Sequence, residues 1–484
     1  MSLVKMLLDC VAVRMHASAI ILLIYLLLLL LLMQVSCWNT TGRPDRLHLR
    51  SLLLSSPNDA AAPRARCFSI TGRELSRSRR TAQAQVERQH EVSKSREDPV
   101  SSLAQLTTAY YMQTKIGTPP REVLLLVDTA SELTWVQGTS CTNCSPTKVP
   151  PFNPGLSSSF ISEPCTSSVC LGRSKLGFQS ACNRSTGSCS FQVAYLDGSE
   201  AYGVIAREIF SLQSWDGAAS TLGDVIFGCA SKDLQRPVDF SSGTLGLNRG
   251  SFSFPAQIGS RSKSGLSDRF SYCFPNRAEH LNSSGVIIFG DSGIPAHHFQ
   301  YLSLEQEPPI ASIVDFYYVG LQGISVGGEL LHIPRSAFKI DRLGNGGTYF
   351  DSGTTVSFLV EPAHTALVEA FGRRVLHLNR TSGSDFTKEL CYDVAAGDAR
   401  LPTAPLVTLH FKNNVDMELR EASVWVPLAR TPQVVTICLA FVNAGAVAQG
   451  GVNVIGNYQQ QDYLIEHDLE RSRIGFAPAN CVMD

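Results

Sequence analysis

The sequence lacks an excess of charge of either sign. Its 484 residues include 41 Lys and Arg against 42 Asp and Glu, which gives a net charge of −1. Charged residues make up 17% of the chain, below the roughly 25% of an average soluble protein. Charge therefore gives no reason to expect nucleic acid or an anionic membrane as a partner. The length is sufficient for two or three ordinary domains.

The sequence also lacks the complete signature of a zinc site and that of a serine hydrolase. Cys141 and Cys144 form a C-x-x-C pair, but no second pair and no nearby H-x-x-x-H supplies the remaining ligands of a zinc site. The one G-x-S-x-G segment, at residues 323–327, falls in a predicted strand rather than at a strand-to-helix turn, and the histidines show no triad context. His410 and His467 are expected to lie in strands. We therefore predict no metal and no cofactor, and a serine hydrolase is disfavoured.

The N-terminus has the pattern of a secretory signal. Lys5 and Arg14 precede an apolar run over residues 19–33, and the small residue Ser36 follows it. The run is shorter than the roughly 20 residues that a spanning helix needs. We predict a signal peptide over residues 1–36; the alternative is a retained single-pass anchor.

Residues 37–105 differ in composition from the rest of the chain. They are rich in Arg, Ser, Ala and Gln, lack strand-like alternation, and carry a basic cluster at residues 76–80. One interpretation is a solvated, weakly ordered linker. The other is a removable prosegment whose basic side chains shield acidic active-site groups until processing. We predict a weakly ordered prosegment.

Cysteine and sequon usage agree with an oxidising, secretory destination. The chain has 14 Cys, and those from Cys141 onward are interpreted as a disulfide framework. Sequons at Asn183, Asn282 and Asn379 are predicted glycosylation sites. Asn39 and Asn143 also match, although a glycan on Asn143 would compete with burial or pairing of Cys144.

From residue 107 onward the pattern is β-like. An alternating stretch at 109–116 is followed by a turn at 117–120 and a buried run at 122–127. Further strands are predicted to the C-terminus, at residues 190–195, 203–212, 224–229, 286–290, 316–326, 406–411, 436–441 and 463–468. Only residues 361–376 show good helical spacing. The chain is therefore predicted to be mainly β.

An internal repeat organises these strands. Residues 126–131 (Leu-Val-Asp-Thr-Ala-Ser) resemble residues 349–354 (Tyr-Phe-Asp-Ser-Gly-Thr). Each copy is followed far downstream by an apolar segment ending in Gly, at 244–246 and 454–456. The repeat predicts two related lobes, residues 106–300 and 301–484, each with one Asp loop and one crossing strand.

The paired loops suggest a chemistry. A single Asp-hydroxyl-small-hydroxyl segment could be an ordinary turn, but two copies at corresponding places would bring Asp128 and Asp351 together if the lobes face each other. Two adjacent carboxyls share one proton, so one can activate water while the other donates to a carbonyl oxygen. Residues predicted to support the pair are Thr129, Ser131, Ser352, Gly353 and Thr354.

At this point residues 107–482 resemble the pepsin-family aspartic proteases, and in particular their plant nepenthesin-like branch. The resemblance is carried by residues 109–120, 454–462 and 473–481. It implies a bilobal β fold with a cleft between the lobes and an acid endopeptidase acting on peptides or proteins. It also implies a monomer that enters the secretory pathway for the apoplast, cell wall or vacuole.

The resemblance implies roles for individual residues. Tyr195 looks like the flap tyrosine that closes over bound peptide, and Trp135 like its indole partner; otherwise both would be ordinary core aromatics. Residues 165–189 look like the cysteine-rich insertion of the branch. The implied disulfides are Cys144–Cys229, Cys165–Cys189, Cys170–Cys182, Cys273–Cys481 and Cys391–Cys438.

Three positions depart from the family pattern. Ala130 replaces a Gly in the first Asp loop, where a methyl group is expected to strain the loop or lower activity. Leu196 replaces a flap Gly, and Gly138 replaces a Cys, so Cys141 is expected to be free or paired elsewhere. These changes keep open an alternative function, a binding or inhibitor protein on a weakly active protease scaffold.

Overall fold

A computed structural model of the chain describes most of the sequence beyond residue 108. The described residues are 66–70, 109–171, 177–213, 219–233, 241–259, 268–276, 283–290, 296–306, 315–342, 344–382, 390–396, 401–431, 433–446 and 451–482. The predicted signal peptide, most of the predicted prosegment and the Asn282 sequon lie outside these ranges. Within them, no helix is long and apolar enough to cross a membrane.

Strands dominate the described chain, as the sequence predicts. The strands are β1 (Arg66–Ile70), β2 (Tyr111–Ile116), β3 (Arg121–Asp128), β4 (Trp135–Thr142), β5 (Ile161–Ser162), β6 (Phe178–Asn183), β7 (Ser188–Ala194), β8 (Glu200–Gln213), β9 (Ala219–Asp233), β10 (Gly243–Gly246), β11 (Arg269–Cys273), β12 (Gly285–Phe289), β13 (Gln300–Ser303), β14 (Leu321–Val326), β15 (Glu329–Leu330), β16 (Thr348–Phe350), β17 (Ser357–Leu359), β18 (Asn379–Thr381), β19 (Cys391–Ala395), β20 (Val407–Phe411), β21 (Val415–Glu418), β22 (Trp425–Arg430), β23 (Val434–Leu439), β24 (Phe441–Asn443), β25 (Asn453–Ile455), β26 (Tyr463–Asp468) and β27 (Arg473–Pro478).

The α-helices are short. They are α1 (Ser168–Leu171), α2 (Phe254–Ile258), α3 (Ala363–Gly372) and α4 (Asn457–Gln460). Helix α3 is the one predicted from residues 361–376, but it is shorter at both ends. It begins just after Pro362, because a residue that precedes proline disfavours helical dihedral angles.

One sheet joins the two halves of the sequence. Its first strands run in the order β13, β27, β26, β11, β12, β1, β2 and β3. Strand β26, near the C-terminus, pairs antiparallel with β11, so that Tyr272 lies opposite Ile465 and Phe270 opposite His467. The last strands of the chain therefore return to pack beside strands from its middle.

Strand β1 lies inside the segment predicted to be weakly ordered. It pairs antiparallel with all of β12 and meets β2 at Ile70 and Met112. Within the predicted prosegment, residues 66–70 therefore form a strand whose ladder with β12 runs along its whole length, whereas its pairing with β2 is limited to one residue pair.

The internal repeat is confirmed as a structural repeat. In the first half, β10 runs parallel to β3 and places Gly246 beside Asp128. In the second half, β25 runs parallel to β16 and places Ile455 beside Phe350. Each Asp loop therefore follows a buried strand with a parallel neighbour from the downstream segment ending in Gly.

The disulfides confirm two predicted pairs and correct three. Cys273–Cys481 and Cys391–Cys438 are present as predicted. The predicted Cys165–Cys189 and Cys170–Cys182 are wrong: the pairs are Cys165–Cys182 and Cys170–Cys189. Cys182 and Cys189 are opposite residues on β6 and β7, so either pairing satisfies the spacing. Helix α1 decides between them because it buries Cys170 in the same apolar cluster as Cys189.

The predicted Cys144–Cys229 pair is also wrong. Cys144 pairs with Cys141, three residues away, across a turn in which Asn143 has a φ of 56°. Cys141 is therefore not free, and Cys229 is the free, buried cysteine of the described chain. Burial raises the pKa of the Cys229 thiol to about 12, so this thiol is protonated and unreactive at neutral pH.

Candidate active site

The two loops after β3 and β16 bring Asp128 and Asp351 together. Asp128 and Asp351 are each 5% exposed. Asp128 is the last residue of β3 and Asp351 directly follows β16, and the strand residues just before them, 123–127 and 348–350, are buried except for the half-buried Leu126. The loops are locked together through reciprocal hydrogen bonds. The Ser352 hydroxyl accepts from Thr129 N at 3.0 Å, and the Thr129 hydroxyl accepts from Ser352 N at 3.0 Å.

The same hydroxyls also donate across the interface between the loops. Thr129 Oγ1 donates to the Phe350 carbonyl at 3.3 Å, and Ser352 Oγ donates to the Val127 carbonyl at 2.8 Å. Both hydroxyls are fully buried. The predicted supporting roles of these two residues are therefore structural: they hold the two Asp loops back to back.

Each carboxylate is oriented by a backbone amide and a hydroxyl of its own loop. Ala130 N donates to Asp128 Oδ1 at 2.8 Å, and the Ser131 hydroxyl donates to Asp128 Oδ2. In the second loop Gly353 N donates to Asp351 Oδ1 at 2.8 Å, and the Thr354 hydroxyl donates to Asp351 Oδ2 at 2.6 Å. The donors thus repeat in matching positions.

Burial raises the pKa of both carboxyls, and repulsion by Asp351 raises that of Asp128 further. Desolvation and then the negative charge of Asp351 raise the pKa of Asp128 to about 7, against the bonds from Ser131 and Ala130. Desolvation also raises the pKa of Asp351, but bonds from Thr354, Gly353 and Asp128 oppose the rise. The pair therefore keeps one proton over an acidic range, held mainly by Asp128 and donated to Asp351.

Ala130 and Gly353 occupy matching positions but meet different surroundings. Ala130 is not among the residues with positive φ, so its methyl group does not strain the backbone, contrary to the expectation from the sequence. A methyl group added to Gly353 would lie 2.7 Å from both Cγ and Oδ1 of Asp128. A small side chain is thus accommodated in the first loop and excluded from the second.

Tyr195 and Trp135 also lie together. The Trp135 indole is fully buried and donates from Nε1 to the Tyr195 phenol oxygen at 2.7 Å. The phenol in turn lies 3.4 Å from the Thr244 hydroxyl. Burial raises the pKa of Tyr195, and the negative charge of Asp128 raises it further because the phenol lies close enough to that carboxyl to feel its charge.

A tight turn follows Tyr195 and presents Leu196. Gly198 N donates to the Tyr195 carbonyl at 3.0 Å, and Gly198 has a φ of +82° that favours glycine. The Leu196 side chain is 50% exposed. The position that departs from the family pattern is therefore an apolar side chain at the tip of this hairpin.

Sequence reasoning missed three polar residues that contact the site. Thr244 contacts Tyr195, Asn457 Nδ2 donates to the Ser352 carbonyl at 3.1 Å, and Gln460 Nε2 donates to the Asp351 carbonyl at 3.2 Å. For Asn457 and Gln460 the available signal was the cluster of four amide side chains within residues 457–461, directly after a buried strand. Such residues are rarely buried unless they bond specific partners.

Other predicted sites are only partly within the described chain. Asn183 and Asn379 are exposed, as glycan attachment requires, and Asn282 lies outside the described residues. Among the described residues, no group of three or more His, Cys, Asp or Glu side chains is placed to hold a metal ion.

Comparison with known proteins covers the chain beyond residue 109. Family models described as "Xylanase inhibitor N-terminal" and "Xylanase inhibitor C-terminal" match residues 110–291 and 316–478. The chain is 34% identical over 385 residues to Aspartyl protease family protein 2 of Arabidopsis thaliana, covering 79% of this chain and 73% of that protein. It is 30% identical over 377 residues to aspartic proteinase nepenthesin-2 of Nepenthes gracilis, covering 77% and 78%.

Solved structures share the fold at lower identity. The crystal structure of edgp superposes with a TM-score of 0.63 at 19% identity, over 87% of this chain and 96% of that one. Conglutin gamma from lupine seeds gives a TM-score of 0.60 at 20% identity, over 86% and 95%. The predicted two-lobed β fold is confirmed.

Proposed function

Because the chain belongs to the pepsin-like aspartic proteases, in their plant nepenthesin-like branch, we propose that it is an aspartic endopeptidase active at acidic pH. The observation that carries the proposal is the carboxyl pair. Asp128 and Asp351 are buried in matching loops, and each accepts hydrogen bonds from the same kinds of donor in its own loop. The two carboxyls hold one proton between them.

The geometry supports distinct roles for the two carboxyls. Ionised Asp351 takes a proton from a water molecule as that water attacks the carbonyl carbon of the scissile peptide bond. Protonated Asp128 donates its proton to the carbonyl oxygen, which gives a tetrahedral diol without a covalent enzyme intermediate. Collapse of the diol returns a proton to the leaving amine nitrogen as the C–N bond breaks.

The hairpin that carries Tyr195 supports a role in substrate binding. Its exposed Leu196 offers an apolar contact, and the buried indole of Trp135 holds the Tyr195 phenol of the same hairpin. We therefore expect an extended peptide substrate with apolar residues flanking the cleaved bond.

The proposal also includes the destination of the protein. The predicted signal peptide, the five disulfides of the described chain and the exposed sequons support secretion to the apoplast, cell wall or vacuole. Removal of the prosegment would precede activity, and the mature chain would act as a monomer.

A second function is favoured by the family models themselves. Their description refers to xylanase inhibitors, so a binding protein on this scaffold is the alternative to an enzyme. The intact pair of Asp loops favours the enzyme, because binding alone requires no buried carboxyl pair with a shared proton.

The test is cleavage of a denatured globular protein across pH 2 to 7 by the secreted, processed chain. We expect cleavage that peaks in acid, is blocked by a statine-type inhibitor and is lost in Asp351→Asn. Asp416→Asn, which changes an exposed carboxylate paired with His410, is the matched control and should retain activity. A folded, processed chain without activity at any pH would support the binding protein instead.

A further inference from the structure

A buried polar chain runs from the catalytic loop of the second lobe into the sheet that joins the two halves of the protein. It begins at the backbone carbonyl of Asp351, which accepts from Gln460 Nε2 at 3.2 Å. The same nitrogen donates to the Ile455 carbonyl at 2.7 Å. Gln460 therefore ties the Asp351 loop to the end of its parallel neighbour, β25.

The other end of the Gln460 amide is held from the opposite side. Its Oε1 accepts from the Tyr272 hydroxyl at 2.5 Å. The Tyr272 oxygen also lies 3.4 Å from His467 Nε2, and His467 stacks on Phe270 with ring centroids 4.5 Å apart. Tyr272 and His467 lie on the paired strands β11 and β26, so the chain connects Asp351 to rigid sheet.

Every member of this chain is secluded from water. Gln460, Tyr272 and His467 are each 0% exposed. A buried carboxamide that uses both amide hydrogens and its carbonyl oxygen has one low-energy orientation, since any rotation leaves polar atoms unpaired. The carbonyl of Asp351 is therefore fixed by a side chain that is itself held at two other points, the Ile455 carbonyl and the Tyr272 hydroxyl.

We infer that Gln460 is a positioning residue for Asp351, and that Tyr272 acts through Gln460 to hold it. This inference rests on the proposed function, because it assigns these residues to the same carboxyl pair. The loop position matters because Gly353 N and the Thr354 hydroxyl lower the pKa of Asp351 by donating to its carboxylate oxygens. A loop that shifts weakens those bonds.

Among the described residues, the titratable groups that act electrostatically with Asp351 are the neighbouring carboxyl of Asp128 and the phenols of Tyr272 and Tyr349. Burial raises the pKa of both phenols well above the ordinary value, so they stay protonated wherever the protease would work. A change in the acidic limb of the pH profile therefore reports on the carboxyl pair.

The experiment compares two neighbouring glutamines. Gln460→Met removes the bonds to Asp351 at nearly constant volume. Gln459→Met is the matched control, because Gln459 is equally buried and bonds Ser357 Oγ and the Ser423 carbonyl rather than the Asp351 loop. Both variants should lose similar stability.

For Gln460→Met we expect kcat to fall by on the order of tenfold with little change in KM, since misplaced catalytic groups slow the reacting step rather than binding. The acidic limb of its pH profile should move to higher pH, because ionised Asp351 loses donors. Tyr272→Phe should show the same changes more weakly, and the double variant should be no worse than Gln460→Met. A kcat and pH profile equal to those of Gln459→Met would overturn the inference.

The two proposals fail in different ways. If the wild-type chain cleaves nothing at any pH, the proposed function has failed, and the inference is then tested without activity. The free energy of unfolding of Gln460→Met should fall more steeply from pH 4 to 7 than that of Gln459→Met, because a higher folded pKa of Asp351 binds more protons in the folded state. Equal slopes would overturn it.

Discussion

The contrast between Ala130 and Gly353 is a residue-scale property of the candidate active site. In one loop the methyl group has room and an unstrained backbone, whereas in the other it would meet the carboxyl of Asp128 at 2.7 Å. The departure from the family pattern at Ala130 is therefore compatible with catalysis. Retention of glycine at 353 is required by the neighbouring carboxyl rather than by a special backbone angle.

These surroundings predict opposite outcomes for two exchanges. Ala130→Gly should change kcat/KM by less than about threefold and reduce stability by roughly 0.4–1 kcal/mol, because glycine gains freedom in the unfolded chain. Gly353→Ala should reduce kcat/KM by about 100-fold or more by displacing Asp128. Peptide cleavage kinetics and thermal unfolding of both variants check this. A large gain of activity in Ala130→Gly would show that the methyl group does distort the loop.

At the scale of elements, the indole of Trp135 on β4 links that strand to the hairpin that carries Tyr195 and Leu196. Trp135→Phe keeps an aromatic ring, although a smaller one, and removes the donor to the Tyr195 oxygen. We expect kcat/KM to fall by roughly fivefold to tenfold, the value of one hydrogen bond that positions a substrate-binding group.

Trp425→Phe is the matched control for that measurement. Trp425 is also fully buried, and its indole donates to the Pro402 carbonyl at 2.9 Å. It should lower the melting temperature to a similar degree while leaving kcat/KM unchanged. Equal losses of kcat/KM in both variants would argue that Trp135 acts only through general stability.

Strands β4 and β9 offer a site for an added disulfide. A Cβ at Gly138 would lie 2.9 Å from Sγ of Cys229, about the separation of these atoms across a disulfide bond. Gly138→Cys should therefore form a bond to Cys229 and raise stability by up to about 4 kcal/mol, since it closes a long loop. Mass spectrometry of unreduced peptides checks the bond, and Gly138→Cys with Cys229→Ser is the control that should gain nothing.

Cysteine pairing also marks what the sequence could not predict at this scale. The strands, the helix at α3 and the two long-range disulfides were predictable from alternation, helical spacing and family resemblance. The pairing within 165–189 was not, because Cys182 and Cys189 are cross-strand neighbours and only the packing of α1 selects their partners. Gln460 was missed for a similar reason, because its role depends on a tyrosine 188 residues away.

At the scale of the whole molecule, His467 couples stability to acidity. It lies fully buried in the sheet that joins the two halves, and burial lowers its pKa to about 3. An ordinary histidine in the unfolded chain has a pKa near 6.5. Between pH 6.5 and 3 the unfolded chain therefore binds a proton at this residue that the folded chain does not bind. This group contributes stability above pH 6.5, and the contribution is lost as pH falls toward 3.

The carboxyl pair has the opposite sign. Because the pKa of Asp128 is raised to about 7, the folded chain binds more protons than the unfolded chain between the ordinary Asp value and pH 7. This contribution is fully present in acid and is lost as pH rises through 7. A protein that carries both groups is expected to be most stable between these limits.

His467→Phe tests the acidic side. Phenylalanine can keep the stacking on Phe270 without a titrating group, so the fall in unfolding free energy from pH 6.5 to 3.5 should be smaller than in wild type by about 3–4 kcal/mol. Guanidinium unfolding at the two pH values measures it. Substitution of the exposed His332 by Gln should leave the slope unchanged, and an unchanged slope in His467→Phe would contradict the burial argument.

Strand β1 has a consequence for processing. It is the only link between β12 and β2 in the order of the large sheet as described. A protease that cuts between residues 71 and 108 would sever the chain, but β1 would stay in the sheet as a non-covalently bound peptide, held by its backbone hydrogen bonds to β12. Conversion of the precursor would then have two stages, a cut and a departure. Only the departure of β1 would break the sheet between β12 and β2. It would leave β12 with an unpaired edge that another strand could occupy.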